Sequence, residues 1–107
     1  MPSDQFVIVL TTFPAERDVE PLARTLVEER LAACVNVLPP MTSIYTWKGA
    51  VERADERQIV IKTVAARVGD LEARLKSLHP YDVPEFVVLP IAQGSQAYLS
   101  WLADSTS

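Results

Sequence analysis

The densest chemistry in this chain runs from His79 to Phe86, where HPYDVPEF crowds an imidazole, a phenol and two carboxylates into a turn stiffened by two prolines. Each proline fixes its own φ and pushes the preceding residue out of the helical region, so His79 and Val83 are expected to be extended and the turn stiff. His79, Asp82 and Glu85 recur at intervals of three. With Cys34 they make a donor set of imidazole, carboxylate and thiolate that suits a borderline divalent ion such as Cu²⁺ or Zn²⁺. The same residues also make a good helix stop, with His79 favoured by the helix dipole and Asp82 bonding the turn's backbone.

Three further groups could take part. Cys34 would need His79 beside it to act as a nucleophile; its setting, between LAA and VNVL, is that of a buried thiol. Lys62, alone in the apolar run IVIKTV, either snorkels to water or meets a carboxylate such as Glu52, Glu56 or Glu85. Tyr45 and Trp47 alternate on one strand face with Tyr81 in reach, forming either core and subunit interface or a stacking pocket. No GxGxxG, GxxxxGK[ST], CxxC, HExxH or GxSxG occurs. No nucleophile, base and oxyanion donor stand together, so the chain is not expected to be an enzyme.

The elements that must position these residues follow from periodicity. FVIVLTTF (Phe6 to Phe13) predicts a strand buried on both faces. Val19, Leu22, Ala23, Leu26 and Val27 trace an amphipathic helix, capped by Asp18, with Pro21 in its first turn and a Glu20–Arg24 pair outside. Cys34 to Trp47 reads as a strand broken by Pro39-Pro40, which places a bulge or kink at a sheet edge. Lys48-Gly49 turns the chain into a returning strand that ends at IVIKTV, completing a long hairpin. Val68, Leu71, Leu75 and Leu78 predict a second helix ended by His79-Pro80. A last strand over Glu85 to Ile91 precedes a short helix capped by Ser95, and Asp104 to Ser107 are expected to be disordered. The order β-α-β-β-α-β-α predicts an α/β (α+β) ferredoxin-like sandwich over residues 1–107, its two long helices on one face of a four-stranded antiparallel sheet. The other face, greasy at several positions of Ile59 to Lys62, calls for self-association.

Composition narrows the classes. A chain of 107 residues is one domain. The lone Cys34 excludes an intrachain disulfide, and no leader or run of about 20 apolar residues appears, so a cytoplasmic protein without membrane partners is expected. Ten basic against fourteen acidic residues leave a net charge of −4, with no basic cluster for nucleic acid.

Four segments in order, LAACVNVLPPMTSIYTWKG, QIVIKT, HPYDVPEF and the closing LPI-G-YLSWL pattern, make the chain resemble the CutA family, the divalent-cation tolerance proteins. The resemblance implies a cytoplasmic homotrimer with a role in the response to divalent metal ions. It also implies a polar cleft between subunits, to which Cys34, Tyr45, Trp47, Lys62, His79, Tyr81 and Glu85 would contribute. Copper binding is attributed to some members through a cysteine at the end of the first strand and a His-His pair before the HPY proline. Here Thr11 or Thr12 holds the first position and Leu78 precedes His79, so the resemblance implies weak binding of Cu²⁺ or another divalent cation. Two other readings stand beside it: a signalling module gripping a small anionic ligand with Lys62 and the aromatics, and a ligand-free scaffold.

Overall fold

A computed structural model describes residues 5–107. The elements run β1 (Phe6–Pro14), α1 (Glu20–Glu28), β2 (Cys34–Trp47), β3 (Ala50–Val64), a 3₁₀ turn over Ala65–Arg67, α2 (Val68–Leu78), β4 (Val87–Pro90) and α3 (Gln96–Ser105). The four strands form one sheet in the order β2-β3-β1-β4, and every neighbouring pair is antiparallel. This α+β architecture agrees with the expected order of elements.

Strand alternation divides the sheet into two faces with different fates. Val7, Val9, Ile59 and Ile61 point to one side, where Leu22 and Leu26 of α1 and Leu71 and Leu75 of α2 complete the main core. Fully burying each such leucine or isoleucine contributes about 1.5–3 kcal/mol. The opposite side carries Ile8, Leu10, Val60 and Lys62, in register with one another and with Val87 and Leu89 of β4. There α3 covers one end only: Leu102 and Leu99 pack on Phe6, Val64 and Ile91. Between α3 and the far end an apolar band remains, and Val87 and Leu89 in it are exposed.

Local chemistry explains the element ends. Trp47 pairs with Ala50, and Lys48 and Gly49 both take positive φ, 51° and 80°, the backbone of a type I′ turn matched to the twist of a hairpin. The register shifts between Val37 and Pro40, as two prolines on an edge strand require. Helix α1 ends in a Schellman motif, with Leu31 N–H bonding Leu26 and Arg30 N–H bonding Val27. Arg30 holds the left-handed position, φ 61°, where glycine is usual. Its guanidinium donates to the carbonyls of Asp104 and Ser107, and Arg67 donates to that of Thr106.

Those two arginines bear on the first correction. Residues 104–107 were expected to be disordered, yet α3 continues to Ser105 and Thr106 is buried. The carbonyls left open at the helix end find guanidinium donors from distant elements, a partnership with no local sequence signal. Two boundaries also move. Asp18 accepts from Glu20 N–H at 3.0 Å, but the N-cap position is Val19. The last strand is Val87–Pro90, shorter than Glu85 to Ile91, because Glu85 turns its side chain toward Gln58 and Pro90 has no N–H to donate. Ser95 caps α3 as expected, accepting from Tyr98 N–H.

Candidate functional site

His79 leaves α2 in an extended conformation, φ −85° and ψ 140°, as a residue before proline should. Its ring folds back under the sheet and is 9% exposed. Nε2 lies 2.6 Å from the Thr12 carbonyl, and Nδ1 accepts from Tyr81 N–H at 3.0 Å. A carbonyl only accepts and an amide N–H only donates, so the ring is the neutral Nε2–H tautomer. Phe13 meets it edge-on at 5.2 Å and Tyr81 lies at 4.8 Å. Both nitrogens are therefore committed to backbone, and the one acceptor lone pair, on Nδ1, is taken by Tyr81 N–H. The expected donor set of His79, Cys34, Asp82 and Glu85 does not converge: among the described residues no group of three or more His, Cys, Asp or Glu could hold a metal. Nor is His79 the cationic helix stop of the simpler alternative, and Asp82 makes no side-chain bond to the turn's backbone among those found.

What the turn does form is one wall of a cavity. Tyr81 swings over the hairpin and its phenol donates to Glu56 Oε2 at 2.8 Å. Behind it opens a cavity of about 770 Å³, floored by Thr12, Gln58, Glu56, Met41 and Ser43, with Ile44, Tyr45 and Trp47 along the hairpin and Pro80 to Glu85 opposite. The floor follows from register: Thr12 faces Gln58 and Met41 faces Glu56, on the sheet face that α1 and α2 leave bare. Gln58 ties the two walls, donating to the Thr11 carbonyl at 2.7 Å and to Glu85 at 3.1 Å.

The electrostatics of the cavity are one-sided. Glu56, Asp82 and Glu85 line it, and no Lys, Arg or His does among the described residues. Glu56 is 7% exposed, accepts only the Tyr81 phenol, and forms no ion pair among those described. Burial first, then the bond to Glu56 and its charge, push the Tyr81 phenol well above its ordinary value of 10.0. A carboxylate this buried is costly without a compensating cation.

The remaining expected residues fall elsewhere. Lys62 pairs with Cys34 in register and sits 5.9 Å from the Tyr98 ring, at the α3 end of the face. None of Glu52, Glu56 or Glu85 meets it, so within one chain it cannot share the grip on an anion with the aromatic residues. Cys34 is half-buried with Asn36 as its neighbour, and Glu52 is exposed on the hairpin. Thr11 is buried in the helix-covered core with its hydroxyl unpartnered, so this first-strand position does not open toward the cavity. Gln58 and Met41 were missed; the signal available was their parity with Glu56 once the hairpin register is known.

A family model described as CutA1 divalent ion tolerance protein matches residues 7–105. A protein named divalent-cation tolerance protein CutA from Thermus thermophilus is 50% identical over 99 residues, covering 92% of this chain and 96% of the relative. The solved structure of a divalent cation tolerance protein (Cut A1) from that organism superposes with a TM-score of 0.91 at 48% identity, covering 95% of this chain and 99% of the other. A structure described as the periplasmic divalent cation tolerance protein CutA from Archaeoglobus fulgidus gives 0.90 at 29% identity, covering 95% and 99% of the two chains. The fold, the strand order and the HPYDVPEF turn thus sit inside a sequence match that runs through almost every element, and the chain belongs to the CutA1 divalent ion tolerance family.

Proposed function

We propose that this chain acts as a cytoplasmic homotrimer in the response to divalent cations, binding rather than transforming its ligand in the cleft beneath the hairpin. The observation that supports this most directly is the sign of the cavity: three carboxylates and no basic side chain among the described residues. The bare apolar band beside it supplies a reason to assemble, because Val87, Leu89 and their neighbours stay wet in a lone subunit. A neighbouring subunit packed on that band would complete the cleft. A bare ion would be held weakly, by one or two of these carboxylates and water, since no three of them converge, the His79 nitrogens are occupied and Cys34 lies on another part of the sheet. Copper has no special claim on such an oxygen-rich set.

Sedimentation equilibrium should give three times the 11.9 kDa chain mass. Calorimetric titration with Cu²⁺ and Mn²⁺ should give weak, saturable binding that Glu56→Gln reduces and that His79→Gln and Cys34→Ser leave in place. Absence of saturable binding, or dependence on His79 and Cys34 rather than Glu56, would overturn the metal part of the reading. The size of the cavity favours a second reading, a small-molecule site, because about 770 Å³ lies in the usual range for organic ligands and far exceeds the room an ion needs.

A further inference from the structure

We infer that the cavity takes an organic cation, an ammonium group carried on an apolar body, with the charge at Glu56 and the body against Tyr45 and Trp47. This rests on the proposal that the cavity is the functional site, and it names the ligand class.

Three features of the cavity converge on that class. The deepest charge is Glu56, nine-tenths buried, whose second carboxylate oxygen has no bond partner among those described. A neutral guest would leave that charge uncompensated, and an anion would face three carboxylates. The walls are aromatic: Tyr45 and Trp47 stand half-exposed along the hairpin, and ring faces attract a cation while covering apolar surface. Finally, the carboxylates lack the convergence that a bare metal ion demands, since they join no group of three able to hold one. An ammonium needs only one strong acceptor and tolerates a broad arrangement of the rest. Lys48, 5.8 Å from the Trp47 centroid, shows the chain already presenting that ring to an ammonium from outside the cavity.

The test uses the full protein with Trp101→Phe as background, leaving Trp47 as the only indole. Phenethylammonium is titrated against Trp47 fluorescence, with 3-phenylpropionate as the charge-reversed analogue of similar shape. The expected result is saturable quenching by the amine, at least tenfold weaker binding in Glu56→Gln, several-fold weaker in Glu85→Gln, and no response to the acid. Glu56→Gln keeps an acceptor for the Tyr81 phenol, and unchanged circular dichroism confirms its fold. Equal binding of the acid, or Glu56→Gln within threefold of the parent, overturns the inference. Amine binding without any Mn²⁺ or Cu²⁺ binding supports it while removing the metal reading; metal binding without amine binding removes this inference alone.

Discussion

Replacing His79 tests whether the most conspicuous ligand-type residue of the chain is a ligand or a strut. In the native turn the ring bridges β1 to the loop after α2 through two hydrogen bonds, to the Thr12 carbonyl and from Tyr81 N–H. Each is worth about 1 kcal/mol net, and a partner left unsatisfied in a buried place costs more. The edge contact with Phe13 adds about 0.5–1.5 kcal/mol. His79→Ala should therefore destabilise the protein by about 3 kcal/mol. His79→Gln keeps a donor for Thr12 and His79→Asn keeps an acceptor for Tyr81, so each should recover about 1 kcal/mol of that loss. Urea unfolding followed by circular dichroism, at one protein concentration because the proposed assembly would contribute to apparent stability, measures all three. A His79→Ala protein within about 0.5 kcal/mol of wild type would refute the strut, as would a tenfold loss of Cu²⁺ affinity in His79→Gln with unchanged stability.

Four more outcomes follow from single observations. Thr11→Val removes a buried hydroxyl with no partner and should stabilise by about 1 kcal/mol in urea. Gly49→Ala has room for its Cβ but must keep φ near 80°, and should cost about 1 kcal/mol. The Tyr81 phenol is raised above its ordinary value of 10.0, so it stays protonated in the folded chain while the unfolded chain ionises. Below pH 10 it adds no pH dependence; above it, stability should fall with rising pH, and Tyr81→Phe should remove both that slope and the last step of the absorbance titration at high pH. Val60→Lys places a charge in the bare apolar band, on the face away from the main core, and should abolish the proposed trimer in sedimentation while leaving the helical circular dichroism in place.

Much of the fold was legible because the signals were local. The hairpin, its turn, the Pro39-Pro40 irregularity, the Ser95 cap and the Glu20–Arg24 pair all depend on residues within a few positions of one another. The site was legible in its parts and not in its wiring. His79 and Thr12 are 67 residues apart, and Tyr81 and Glu56 are 25 apart, so only the sheet register could reveal that the imidazole faces backbone and the phenol faces a carboxylate. The same limit hid the ordered end of α3, whose carbonyls are satisfied by Arg30 from 77 and 74 residues away. The resemblance assigns Lys62 to a cleft between subunits, which a single chain does not test. The position of Lys62 six residues beyond Glu56 on the same strand face puts it about 20 Å along β3, out of reach of its own cavity.

On the proposed reading, the placement of the cavity would tie ligand binding to assembly. Tyr45 and Trp47 wall it from the hairpin, and the same hairpin carries exposed Ile44 and Val51 beyond the helix-covered body of the subunit. Any neighbour that packs on the hairpin or on the apolar band must restrict how the arm moves relative to the HPYDVPEF turn, and that separation sets the width of the cavity. Linkage then requires reciprocity. If assembly narrows the cavity around an occupant and so tightens its binding by some factor, the occupant strengthens assembly by the same factor. The two walls meet through Tyr81: its N–H bonds His79 and its phenol donates to the buried Glu56. The turn contributes position rather than donor atoms, and an imidazole with both nitrogens spent on backbone is well suited to that task.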